Sequence, residues 1–251
     1  MTFVEWLSGA NNPTLPKEVY QYGARHLSVW IAVVVLAIIT SIIMYKRTKR
    51  TKDVFFTICA GVFLFFEIAD RVVNLIFMTD YSAQNIFKTI LPLYFCSIAV
   101  WFFIVALFSK KDALINSSAI FGLLVTLAFF IAPSVGFNKQ YVTFDCFYSI
   151  FSHSLGLFVS IVMIATRYAR FNIKKIWQTF VFAVAFIIYG VAMSLWAFPG
   201  EDYMIILNNP IGIDFGIPWW SVYLIFVAVW ITSFYLIELI VHKIKRQIKV
   251  S

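Results

Sequence analysis

Seven stretches of the chain stay apolar over the length that a bilayer demands of a helix, roughly 20 residues each. They cover about 26–45, 54–78, 86–108, 117–134, 145–168, 176–198 and 217–241. The fourth is cut short by Pro133 and Ser134, and the second is unusual in carrying Glu67, Asp70, Arg71 and Asn74. This pattern predicts an all-α fold, a polytopic membrane bundle of seven transmembrane helices forming a single transmembrane domain over residues 1–251. No internal repeat interrupts it, and residues 1–24, with Glu5, Pro13, Pro16 and Glu18, do not read as a cleavable signal peptide.

Composition agrees with the pattern. The chain is 62% hydrophobic and 13% charged, more apolar surface than a soluble domain of 251 residues can hide. Its cysteines, Cys59, Cys96 and Cys146, are too few and too deep in apolar runs for a disulfide framework.

The formal net charge of +8 suggests nucleic acid until its distribution is considered. Basic residues gather at Lys46–Lys52, Lys110–Lys111, Arg167–Lys175 and Lys243–Lys249, alternate connections that hold 15 of them together. The other connections hold only Lys17, Arg25, Lys88 and Lys139. Alternation of this kind is the positive-inside rule at work in an odd-pass protein with its N-terminus outside and its C-terminus in the cytoplasm. The expected partners are therefore membrane lipids, with anionic headgroups at the cytoplasmic face, and no nucleic acid.

An ionisable side chain inside a span costs several kcal/mol unless it is paired, so each one is a candidate for function. Glu67, Arg71 and Asn74 share one helical face at i, i+4 and i+7. An intrahelical Glu67–Arg71 pair accounts for both charges without invoking function, and Asp70 and Arg71 favour that structural reading. His153, between Ser152 and Ser154, lies roughly 12 Å into the fifth stretch, and Cys96 roughly 15 Å into the third, counting the 1.5 Å helical rise. Pro92 precedes Cys96 by four residues and is placed to open the helix near Tyr94 and Cys96. His26 opens the first stretch, while His242 belongs to the basic tail. Together His26, Glu67, Cys96 and His153 have depths that fit one outward-opening cavity. The last outer connection, 199–216, carries Glu201, Asp202, Tyr203, Asn208, Asn209 and Asp214 before Pro218, Trp219, Trp220 and Tyr223. Its aromatic end reads as an interfacial belt or as the floor of a headgroup site.

The ordered set of His26, Glu67, Leu91-Pro92-Leu93-Tyr94-Phe95-Cys96-Ser97, Phe151-Ser152-His153, Asp202-Tyr203-Met204, Pro210 and Asp214-Phe215-Gly216-Ile217-Pro218-Trp219-Trp220 resembles the bacterial YwaF-like integral membrane family, which groups with eukaryotic transmembrane protein 164. The resemblance runs from about residue 22 to 225 and is carried by order and spacing, since each motif is short. The family pattern Leu-Pro-x-His-Leu-Cys is met here by Tyr94 and Phe95 in place of its histidine and leucine. The resemblance implies a phospholipid acyltransferase or lipid hydrolase with Cys96 as nucleophile. His153 is then the available base, with Glu67 or Tyr94 orienting it or serving an oxyanion. His26, Tyr94, Asp202, Tyr203, Trp219 and Trp220 are the candidate substrate-binding residues.

Two other classes fit the same residues. One is a non-catalytic transporter or binder of a small molecule or lipid, opposed by the nearly pure apolar character of the inner half-spans. The other is a zinc hydrolase using His26, His153, Cys96 and Glu67, two histidines where three are usual. No cofactor or metal is expected. The seventh stretch has no lysine for retinal before Lys243, and haem would find only His26 and His153.

Overall fold

The computed structural model describes residues 1–132, 136–203, 206–207 and 214–248, with only the backbone of His242 and of 245–248. Pro133, Ser134, Met204, Asn208, Asn209, Pro210 and the side chain of His242 lie outside the described residues.

The described chain is an all-α bundle. Two short helices, α1 (Phe3–Ser8) and α2 (Lys17–Tyr20), precede α3 (Ala24–Tyr45) and α4 (Lys49–Ile76). After α5 (Ala83–Ile90) come α6 (Phe95–Ser109), α7 (Asp112–Ile131) and α8 (Phe144–Ala165), followed by α9 (Ile176–Ala192) and α10 (Trp219–Ile248). Five helical segments are long and apolar enough to cross a membrane: Lys17–Tyr45, Asp112–Ile131, Phe144–Ala165, Ile173–Ala197 and Trp219–Val241. Counting the bent pair α5 and α6 as one span gives six. At 28 residues α4 is also long enough, but Glu67, Asp70 and Arg71 interrupt its apolar character.

Several expected stretches differ in their bounds; the second, for one, is helical from Lys49 rather than 54. The third is not one helix over 86–108, because α5 and α6 meet at a bend of 54° across Leu91–Tyr94. Pro92 has no N–H to continue a helix and drives the residue before it toward extended backbone, and Leu91 adopts φ −76°, ψ 143°. Cys96 therefore stands in the first turn of α6 rather than deep inside a continuous helix. The fourth starts at Asp112, not 117, because the polar residues that resemble a loop find partners within the bundle. Asn116 Nδ2 donates to the Arg170 carbonyl, Asn116 Oδ1 accepts from Arg170 N (both 2.8 Å), and Ser117 pairs with Thr179 at 3.0 Å. The seventh is helical from Trp219 through Ile248, further than its apolar run.

The core lies where α4, α6, α7 and α8 meet. The Phe103 ring stacks on Phe63 at 5.4 Å and rests against α7 at Gly122, where a Cβ would come within 1.9 Å of its Cζ. At the end of the bundle opposite Lys46–Lys52, the N-terminal segment clasps the connection before α8. Thr14 bridges Lys139, Trp6 donates to the Val142 carbonyl, and Arg25 caps the carbonyls of Lys139 and Gln140.

One polar network holds the broken helix in place. Glu67 is fully buried and accepts from Arg71 and from the Tyr148 hydroxyl of α8. Arg71 also donates to the Ile90 carbonyl at the end of α5 (3.0 Å) and to Ser97 Oγ in the first turn of α6 (3.1 Å). In an unbroken helix the Tyr94 N–H would serve that carbonyl; here Arg71 takes its place. Its guanidinium lies over the Trp101 ring, 5.5 Å from the centroid.

Two stability measurements follow, both by thermal unfolding in detergent. Glu67→Ala leaves the guanidinium buried without its carboxylate and is expected to cost about 3–5 kcal/mol; an unchanged transition would mean that the pair is dispensable. Gly122→Val forces α7 off the Phe103 ring and is expected to cost about 1–3 kcal/mol.

Candidate functional site

The break between α5 and α6 opens a cavity of about 620 Å³ bounded by α4, α5, α6, α7 and α8. Cys96 of α6 and His153 of α8 both line it, and Tyr94 stands at its mouth, 59% exposed. The helix start behind Cys96 matters chemically. The first backbone hydrogen bond of α6 runs from Ile98 N to the Tyr94 carbonyl. The N–H groups of Phe95, Cys96 and Ser97 thus precede the helix's own ladder and are available to a negative charge on the sulfur or on a neighbouring oxygen.

His153 is fixed by a different device. Its Nδ1 is 2.7 Å from the Ser149 carbonyl one turn earlier, and its ring lies flat on Phe129 with centroids 3.8 Å apart. A carbonyl only accepts, so Nδ1 carries the proton and Nε2 keeps its lone pair. Nε2 has no hydrogen-bond partner among the described residues, which leaves it to the cavity.

Glu67 stands behind this wall. Its carboxylate is taken by Arg71 and Tyr148, and the Trp101 N–H faces it from beyond hydrogen-bond geometry. It makes no hydrogen bond to His153, so its part is to hold Arg71 and Tyr148, which do line the cavity. His26 is elsewhere. It is fully buried among Tyr22, Phe130 and Phe137, with ring centroids 4.9–6.0 Å away. Neither of its nitrogens makes a hydrogen bond among the described residues, although the Phe130 carbonyl faces the ring. It is absent from the cavity lining.

Among the described residues, the connection after α9 reaches the mouth through Tyr203 and through Glu201, which pairs with Lys88. Tyr203 is 5% exposed and meets the Tyr94 ring edge-on at 5.2 Å. Burial pushes its phenol above the ordinary range, and its hydroxyl makes no hydrogen bond of ordinary geometry, with Lys88 close by. Asp202 accepts from the backbone of Ile206 and Leu207 at 3.0 Å each, and so shapes its own loop. Trp219 and Trp220 open α10 away from the described lining, Trp220 being 56% exposed. No group of three or more His, Cys, Asp or Glu among the described residues is placed to hold a metal ion.

Several lining residues were not singled out from the sequence. Asp145, Tyr148, Ser149 and Gly156 join Ser152 and His153 on one side of α8. Their spacing of three and four residues is a helical stripe of small and polar side chains, a signal present in the sequence once the helix is known. Asp70, Asn74, Asp80 and Lys88 complete the mouth, where Lys88 pairs with Glu201 at 3.2 Å.

No curated protein and no solved structure matches this chain. The family model of the TMEM164 family does, over residues 21–238, a range that takes in the helix break, Cys96, His153 and the Glu67–Arg71 pair. The chain is a multi-pass membrane protein and belongs to the TMEM164 family.

Proposed function

We propose that this protein, on the YwaF-like branch of its family, is a membrane-embedded acyltransferase or hydrolase acting on phospholipids. Cys96 is the nucleophile and His153 the base. The observation that carries this reading is the shared cavity, which gives a thiol at an open helix start and an imidazole with a free Nε2 access to one space.

In the first half-reaction Cys96 Sγ attacks the ester carbonyl carbon of a phospholipid while its proton passes to His153 Nε2. The tetrahedral oxyanion is met by the free N–H groups at the start of α6. Collapse breaks the ester C–O bond, the departing alkoxide takes the proton from His153, and a lysolipid leaves a thioester on Cys96. A second hydroxyl, from a lysolipid acceptor or from water, then gives its proton to Nε2 and attacks the thioester. The thiolate leaves and regains that proton. Tyr94 occupies the position where the family pattern has histidine, so the hydroxyl of a tyrosine replaces an imidazole at the mouth. Asp202, Tyr203, Trp219 and Trp220 belong to the headgroup side in this reading, Tyr203 through its contact with Tyr94.

The same proposal includes seven crossings, with α4 as the additional one. Its charged residues face the bundle through the Glu67–Arg71–Tyr148 network rather than lipid. The N-terminus is then outside and the cavity mouth opens outward. The basic connections and tail face the cytoplasm, where they meet anionic headgroups.

Topology is tested by cysteine accessibility labelling at sites introduced in 46–52 and in 199–203. Labelling of the two from opposite sides is expected, and labelling from one side would sink the seven-span arrangement. For the chemistry, the purified protein is incubated with labelled phospholipid, and acyl release by hydroxylamine is measured. Wild type is expected to yield a thioester, Cys96→Ala none, and His153→Ala a rate lower by about 10²–10⁴-fold with lipid binding retained. Replacing Cys59 or Cys146 should change little, and Tyr94→His is expected to raise the rate. Label and turnover persisting in Cys96→Ala would exclude the mechanism and leave a lipid-binding role.

A further inference from the structure

The cavity is polar at one end and hydrocarbon at the other. At the mouth are Asp70, Asn74, Asp80 and Lys88. Beyond Cys96 the lining changes to Ala99, Val100, Phe103, Val125, Thr126 and Gly156. The hydroxyl of Thr126 is already spent on the Gly122 carbonyl at 2.7 Å, so this end offers an occupant nothing but hydrocarbon contact. A small polar molecule has no use for such a wall, whereas an amphiphile with its head at the mouth and its chain inward matches it along its length.

The deep end is closed by one ring. Phe103 is 1% exposed, and no α6 residue beyond it lines the cavity. Its place depends on Gly122, where a Cβ would fall 1.9 Å from its Cζ; a Cβ on Gly156 would only touch the ring, 3.7 Å from its Cε2, and would instead strike Thr126 Cγ2 at 2.8 Å. From Cys96 to Phe103 the helix rises only about 10 Å, against about 15 Å for the hydrocarbon of one leaflet. A fully extended chain of ordinary membrane length therefore meets the ring before it is wholly inside.

We infer that the deep half of the cavity is an acyl-chain pocket, and that the Phe103 ring, seated on Gly122, is the stop that selects chains by length and shape. The chemical identity of the occupant rests on the phospholipid reading above; the selection itself requires only that the chain enter.

The test uses full-length protein and phospholipids of one headgroup, in an equimolar mixture of acyl lengths. Two quantities are read: the lengths retained on Cys96→Ala, by native mass spectrometry, and the lengths released from the thioester of proteins with Cys96 intact. Phe103→Leu shortens the stop and is expected to raise the long-to-short ratio. Ala99→Leu fills the pocket from α6 and is expected to lower it, each by about tenfold for a methylene gained or lost. Should Phe103→Leu fail to fold, Ala99→Leu decides alone. Folded variants that keep the wild-type length distribution would overturn the pocket, and if thioester still forms in them the chemistry survives without it. Retained lengths that shift with no thioester in any protein would uphold the pocket and remove the chemistry.

Discussion

A carboxylate and a guanidinium packed inside an apolar helix bundle allow the chain around them few arrangements, because neither can be left without partners. Here Glu67 takes Arg71 and the Tyr148 hydroxyl, and Arg71 uses its remaining donors on Ile90 and Ser97. One side chain of α4 thereby ties the end of α5 to the beginning of α6, and its acidic partner reaches α8. The broken helix would otherwise leave a free carbonyl and two loose ends inside the bundle. Satisfied in this way, the break becomes a fixed feature, and the cavity is the space it leaves.

That arrangement separates supporting residues from those that face an occupant. Glu67 is central to the architecture, yet its oxygens are committed to Arg71 and Tyr148. Cys96 and His153, by contrast, line the cavity. The Ser149 carbonyl and the Phe129 face hold the imidazole in one tautomer and one plane. The cavity's two ends differ in character: Asp70, Asn74, Asp80 and Lys88 gather at the mouth, and the close-packed ring of Phe103 lies at the other end.

His26 illustrates the limit of reasoning from depth. It shares a level with the cavity residues in the sequence pattern, but depth along a helix says nothing of rotation about the axis. In the fold the ring turns into the cluster of Tyr22, Phe130 and Phe137. The start of α7 illustrates another limit, since Asn116 and Ser117 resemble a connection until Arg170 and Thr179 are seen to satisfy them.

The sequence by itself determined that this chain is a polytopic helical membrane protein, because lipid leaves only long apolar helices as a solution for a chain of this composition. It also determined the break at Pro92, a local consequence of a missing N–H, and the Glu67–Arg71 pair, which the spacing of one helical turn brings together. Only the tertiary structure decided which of the polar residues face one another. It put Cys96 at the open start of α6 and gave Tyr148 to Glu67. It turned His153 toward the cavity and His26 away, and it seated Phe103 on Gly122 of another helix. Those outcomes depend on helix rotation and on contacts between residues far apart in the chain, and periodicity along a single helix carries no record of either.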